Sequence, residues 1–498
     1  MSRRFILLIS LMSAFSLGTY LVASHLTYRV GFPLDDAWIH QTYARNLAER
    51  GEWAFLPGQP SAGSTAPAWS LFLALGHLLG LNPLGWANFM GWCMLAGIGI
   101  LGAFGMRCLL PEGRRWELWA GLLLVYEWHL VWAAGSGMET LAYTLIILLG
   151  LVMVVFSETQ EFERMEAIRQ SWIWIGLGVL AGLSVSLRPD GITLLAAFAF
   201  AVILSKRRSG VKLRIVVLLV VGFLVFFLPY LIFNLSLAGN WWPNTFFAKQ
   251  AEYAILRETA FWKRYFYQAR VPLVGVGVML LPGFIWMMVR SFLRRSPGIL
   301  AGALWVIGYL GIYAWRLPVV YQHGRYVIPT LAVFCIWGLA GLFDIIQSTR
   351  SSRLPNLLAR AWVMASGLVL LLFWVLGARA FAQDVAIIES EMVDMAQWVN
   401  RNTPEEALIA AHDIGALGYF GDRSIIDLAG LVSPEVIPFI RDEPAIDNFL
   451  KDQKADFLVT FPGWYPYLTS KFTPVYSTSG DFSPQSGGEN MAVYRLLD

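Results

Sequence analysis

Apolar runs recur along the first three-quarters of this chain, near residues 5–27, 66–81, 84–108, 116–134, 140–156, 171–187, 190–205, 212–237, 271–290, 299–315, 326–346 and 359–378. Most approach the ~20 residues that a helix needs to cross the ~30 Å hydrocarbon core of a bilayer. No other feature constrains the fold so strongly. A segment in lipid must satisfy its own backbone hydrogen bonds, and a helix does so within itself. Composition agrees: 57% of the 498 residues are hydrophobic and 14% are charged, where soluble domains carry about a quarter charged. The net charge of +3, with no basic stripe interleaved with aromatics, argues against a nucleic-acid partner. Cys93, Cys108 and Cys335 lie in or at the ends of apolar runs, without metal or disulfide spacing. The chain reads as an α-helical polytopic membrane protein.

Basic clusters then orient it. They run from Arg3/Arg4 through Arg107/Arg114/Arg115, Arg164/Arg169, Lys206–Arg214 and Arg290/Arg294/Arg295 to Arg350/Arg353/Arg360. From the second cluster onward, neighbouring clusters are separated by two apolar runs each, so all can face the cytoplasm. Three runs separate the first two clusters, so one of those must not span. The run at 66–81 is the shortest of the three and carries Pro67 and His77. It is expected to lie at the outer interface within one long outer loop, residues 29–83. Residues 5–27, after "MSRR", are long enough to be an anchor rather than a cleaved signal. About eleven crossings are expected, with the N-terminus cytoplasmic and the C-terminus extracytoplasmic.

That topology gathers the unusual polar residues on the outer face. The first loop opens with "LDDAWIH", carrying Asp35 and Asp36; "GSGMET" carries Glu139; "SLRPDG" carries Arg188 and Asp190. "GNWWPNTFFAKQAEY" brings Lys249, and "WRLPVVYQHGRYVIP" brings Arg316, His323, Arg325 and Tyr326. Ionisable groups near lipid are costly and usually functional. After residue 380 charges become frequent. "MVDMAQWVNRNTPEE" has helical spacing, while "ALIAAHD", "SIIDLAG" and "DFLVTFP" read as short buried strands. The expected organisation is a membrane domain, 1–380, and a small extracytoplasmic α/β domain, 381–498.

An acidic pair beside a ring of cations suits group transfer. A carboxylate can take a proton from an acceptor hydroxyl, and cations can hold a departing phosphate. The chain has no nucleotide-binding loop, since "GLGVLAG" (176–182) lies inside an apolar run where small residues serve helix packing. A donor already embedded in lipid, a polyprenyl-phosphate sugar, fits this layout.

In their order, "LDDAWIHQTYARNLAERGEWAFLPGQPSAGSTAPAWSLFLA", "SGMET", "RPDG", "PNTFFAK", "HGRYVIP" and the tail "AAHDIGALGYFGDRSIIDLAGLVSP" resemble the GT-C superfamily of multi-spanning glycosyltransferases. The likeness is to bacterial arabinofuranosyltransferases and protein O-mannosyltransferase-like enzymes. It implies inverting transfer from a polyprenyl-phosphate sugar to an extracytoplasmic glycan, lipid or protein. It also implies a first-loop base at Asp35 or Asp36, an acidic partner at Glu139, and Arg325 on the lipid phosphate. Arg188, Asp190, Lys249, His323 and Tyr326 would complete the substrate site. The second outer loop lacks a DxD, so a divalent metal is left open.

Each residue has a plainer reading. Asp35 could N-cap the helix starting near Ala37, Glu139 could complement a helix dipole, and Arg188 and Asp190 could simply pair across their turn. His323 and Arg325 could be interfacial anchors. His412 and Asp413, at a strand end, read as structural, and nothing gives Glu127 or His129 a role. Two other classes compete. A secondary transporter would show halves repeats with broken helices, and no convincing repeat is present. A non-catalytic assembly or receptor subunit would leave the acidic pair without a task.

Overall fold

A computed structural model describes residues 1–110, 113–348 and 353–496; Arg350 of the last basic cluster lies outside them. The chain is mostly helical, with a small sheet near its C-terminus. Eight helices are long and apolar enough to cross a bilayer: Arg3–Thr27, Pro83–Leu109, Ala167–Leu187, Ser209–Ala238, Gly277–Arg294, Pro297–Arg316, Pro329–Ser348 and the long Leu357–Asn402.

The other three expected crossings fall on shorter helices, for local reasons. The run at 116–134 breaks into Glu117–Tyr126 and Trp128–Ala134, with Glu127 extended between them. The Glu127 carboxylate accepts from Leu130 N–H at 3.0 Å and pairs with His129 Nδ1 at 2.8 Å. Thr140–Phe156 has 17 residues and Ile192–Leu204 has 13, which at ~1.5 Å per residue span ~26 Å and ~20 Å. Pro67–Leu78, with 12 residues, is shorter still. It packs beside Asp36–Arg50 in the first loop, with a hairpin of β1 (Ala54–Leu56) and β2 (Gln59–Pro60) between them.

Glycines set the closest helix crossings, as expected where lipid supplies no hydrophobic drive between helices. A Cβ on Gly178 would meet Leu219 O at 2.2 Å, and one on Gly222 would meet Ile175 O at 2.2 Å. Gly178 and Gly182 of "GLGVLAG" thus pack Ala167–Leu187 against Ser209–Ala238.

The long final helix passes through a π-helical stretch, Ile388–Val393, and ends at Asn402. Five strands follow: β3 (Leu408–Ala411), β4 (Ser424–Asp427), β5 (Phe457–Thr460), β6 (Pro474–Ser477) and β7 (Ala492–Arg495). Their order is β4-β3-β5-β7-β6. β3 runs parallel to β4 and β5, while β7 is antiparallel to β5 and β6. The three strand motifs read from the tail sequence correspond to β3, β4 and β5.

The tail docks on the first loop. Trp38 packs against Tyr419 and Phe420 with ring centroids 4.9 and 4.7 Å away, a contact worth about 0.5–1.5 kcal/mol per pair beyond area burial. Arg45 donates to the carbonyls of Tyr419 and Gly418 at 2.8 and 3.2 Å. The parallel edge of the sheet therefore sits over the N-terminus of Asp36–Arg50.

Candidate functional site

The two adjacent aspartates point different ways. Asp35 is buried, and its carboxylate reaches across the chain to cap a tail turn: Oδ2 accepts from Gly415 N–H at 2.6 Å and Oδ1 from Ala416 N–H at 2.8 Å. It makes no side-chain cap on its own helix. Burial and the neighbouring Asp413 push its carboxyl up.

Asp36 opens the helix, where the dipole favours an anion, and remains 30% exposed. Its Oδ2 accepts from Arg325 Nη2 at 2.5 Å and lies 3.5 Å from Lys249 Nζ. Burial pushes this carboxyl up, but Arg325 and Lys249 outweigh that and hold it well below the usual carboxylate range.

Arg325 reaches this position through a strained turn. Gln322, His323 and Gly324 all have positive φ, at 53°, 59° and 70°. Side-chain-bearing residues rarely adopt this region, and such strain clusters at functional sites. Arg325 is 7% exposed, and its guanidinium also donates to Tyr326 Oη at 3.2 Å. Its Nε and Nη1 are buried with no hydrogen-bond partner. Two buried, unpaired N–H positions on a cation are expensive to leave open. Tyr326 lies between the cations, with Lys249 Nζ 5.6 Å and Arg325 Cζ 5.0 Å from its ring. Burial pushes its phenol up, but Arg325 and Lys249 bring it below the ordinary tyrosine value.

These cations open onto a cavity of about 360 Å³. Met138, Ile192, Trp242, Phe246, Ile312 and Leu317 give it apolar walls; Arg188, Lys249, Arg316 and Arg325 give it positive charge. Arg188 is anchored by Tyr313 Oη at 2.6 Å and sits 5.4 Å over the Tyr143 ring. Its contact with Asp190 Oδ1 is long, 3.4 Å, and Asp190 Oδ2 accepts from Tyr309 Oη. The pair is therefore built into a tyrosine cluster, with both residues lining the cavity. Glu139 also lines it, 6% exposed, with Oε2 at 3.5 Å from His40 Nε2.

Of the sequence candidates, Asp36, Lys249, Arg325 and Tyr326 form one contact group, and Glu139, Arg188 and Asp190 line the same cavity. Asp35 braces the tail. His323 is not brought here: it pairs with Asp384 at 2.8 Å, edge-on to Trp128 and Trp132. His40, absent from the sequence candidates, lies 3.5 Å from Glu139 and 3.1 Å from Ser70 Oγ. Its spacing from Asp36, one helical turn, was the available signal. Tyr313 is absent from those candidates too, and its role depends on Arg188 arriving from 125 positions away. Among the described residues no three of His, Cys, Asp and Glu gather as a metal-holding group.

Comparison with solved structures shows the fold: the chain is similar in fold to multi-spanning glycosyltransferases of the GT-C type. ArnT from Cupriavidus metallidurans, solved bound to undecaprenyl phosphate, superposes with a TM-score of 0.62 at 16% identity, covering 98% of this chain and 97% of that one. The Archaeoglobus fulgidus oligosaccharyltransferase gives a TM-score of 0.65 at 13% identity, covering 98% of this chain and 72% of that one. The mycobacterial arabinofuranosyltransferase AftD gives 0.52 at 14% identity, covering 100% of this chain and 40% of that one. In sequence, residues 383–494 match a family model described as a domain of unknown function (DUF8728). No curated protein matches the chain in sequence.

Proposed function

We propose that this protein is a membrane glycosyltransferase. It moves a sugar from a polyprenyl-phosphate donor to an extracytoplasmic glycan, lipid or protein, with inversion at the anomeric carbon. The observation that carries this reading is Arg325, a buried cation with two unpaired N–H positions beside an apolar-walled cavity. A phosphate ester on a lipid chain supplies the missing acceptors and the apolar surface together. The likeness to ArnT, which was solved with undecaprenyl phosphate, supports the same donor class.

Asp36 is the base in this reading. Without donor its carboxylate is neutralised by Arg325 and Lys249 and is a poor proton acceptor. Donor phosphate competes for both cations, and Asp36 then regains basicity as the acceptor hydroxyl arrives. The acceptor oxygen attacks the anomeric carbon and its proton passes to Asp36. The bond from that carbon to the phosphate oxygen breaks, and the charge left on polyprenyl phosphate falls to Arg325, Lys249 and Arg188. Glu139, held by His40, Asp190 and Tyr326 orient the sugar and the cations. His323 supports the Arg325 turn from behind. The membrane domain is residues 1–380 and the outer α/β domain 381–498, with the N-terminus in the cytoplasm and the catalytic loop and tail outside.

Arg325→Gln tests the donor site. Losing charge-assisted hydrogen bonds worth about 1.5–3 kcal/mol each should weaken undecaprenyl phosphate binding roughly 10- to 100-fold. Unchanged affinity in a folded variant would remove the basis of the assignment.

A further inference from the structure

A second recess, of about 490 Å³, lies beside the first and shares Gln250, Trp315 and Arg316 with it. Its remaining lining residues are Arg257 and Arg264. Three guanidinium groups thus converge on one opening, and their hydrogen-bond partners are neutral. Arg257 Nη2 donates to Gln250 O at 3.3 Å, Arg316 Nη2 to Gln250 Oε1 at 3.1 Å, and Arg264 Nη1 to Trp315 O at 3.2 Å. Arg264 Nε is buried with no partner. Arg316 is further fixed 4.7 Å over the Phe246 ring. Solvated surface arginines normally spread apart or pair with carboxylates; here Gln250 draws two of them together by its backbone and its side chain.

The surroundings indicate where this opening lies. Arg264 belongs to the helix Phe261–Arg270, which turns Phe261, Trp262, Phe266 and Tyr267 outward and uncovered. Gln268 is buried and donates to Val319 O at 3.2 Å. Exposed aromatics on one side of a basic amphipathic helix belong at the headgroup level of a bilayer. Trp315, at the recess itself, is also exposed.

We infer that this recess binds the phosphate of a second lipid-anchored molecule, the acceptor, while the Arg325 cavity holds the donor. The inference rests on the reading of that cavity as the donor site. Forked guanidinium donors match phosphate oxygens, and three cations suit a phosphomonoester dianion. The shared lining of Gln250, Trp315 and Arg316 places the donor and acceptor sites side by side.

The test uses full-length protein in uncharged detergent, titrated with phosphatidic acid, undecaprenyl phosphate and inorganic phosphate. The variants are Arg257→Gln/Arg264→Gln and the charge-retaining Arg257→Lys/Arg264→Lys. Wild type should bind phosphatidic acid and undecaprenyl phosphate together, without competition. The Gln pair should weaken phosphatidic acid roughly tenfold or more, the Lys pair less, and neither should alter undecaprenyl phosphate. That last affinity also reports that the variants are folded. Unchanged phosphatidic acid affinity in the Gln pair, or its displacement by undecaprenyl phosphate, would overturn the inference. So would inorganic phosphate binding the recess as tightly as the lipid, since the site would then serve a soluble anion. A wild type that takes phosphatidic acid in the recess but no undecaprenyl phosphate would instead sink the donor reading and leave the anion site standing.

Discussion

Asp35 and Asp36 are neighbours of one chemical type with opposite surroundings. One accepts two backbone N–H groups from the tail; the other meets two cations. Asp35→Ala leaves Gly415 and Ala416 N–H unsatisfied in a buried place, at about 1–3 kcal/mol each. It should lower the melting temperature, and Asp35→Asn, which keeps one acceptor, should do so less. Equal melting temperatures for the two variants would refute the capping role. The sequence made the acidic pair conspicuous and offered Asp35 as a cap of its own helix, yet the turn it does cap was illegible. The partners of Asp35 lie 380 positions further on, and no local pattern encodes a contact at that separation.

At the scale of elements, the decisive contact is between the start of Asp36–Arg50 and the turn after β3. It depends on Gly415, where an added Cβ would lie 2.0 Å from Asp35 O. Backbone cannot yield there without moving the loop or the tail. Gly415→Ala should destabilise by about 1–3 kcal/mol, the usual range for overpacking, and should lower transfer by displacing Asp36. Wild-type melting and turnover in that variant would show that the contact does not govern the site. Elements were legible where periodicity was strong. β3, β4 and β5 stand out as short apolar runs, whereas β6 is mostly exposed and carries little pattern. The break at Glu127 was hidden for a different reason. A single carboxylate capping Leu130 interrupts an otherwise continuous apolar stretch.

Across the whole molecule, tail and membrane part meet again at His412. Its Nε2 lies 3.4 Å from Glu252 Oε1 and its Nδ1 2.8 Å from Tyr465 Oη. Burial alone would push the imidazole down; the Glu252 hydrogen bond and the charges of Asp413 and Asp427 raise it above 6.5. Burial likewise pushes Glu252 up, and His412 brings it below 4.5. The raised imidazole stabilises docking fully below 6.5 and loses that contribution as pH rises through its folded value. The depressed Glu252 contributes above 4.5 and loses that as pH falls. Hydrogen exchange across residues 412–421 should therefore be slower in wild type than in His412→Gln near about pH 6, with the difference fading by about pH 9. A difference that grows with pH would contradict the pairing. This junction was legible only as a strand end, because Glu252 lies on the helix Asn244–Glu252, far away in sequence. The membrane-protein class, by contrast, was plain from the apolar runs alone.

In the proposed mechanism Asp36 takes the acceptor proton after donor phosphate has drawn Arg325 and Lys249 away from it. The most direct measurement compares Asp36→Asn with wild type, following both sugar transfer from a panel of polyprenyl-phosphate sugars and equilibrium binding of undecaprenyl phosphate. Turnover should fall roughly 10²- to 10⁴-fold, while the lipid phosphate binds at least as tightly, because both cations are released to it. An Asp36→Asn protein that transfers sugar at the wild-type rate would contradict the account.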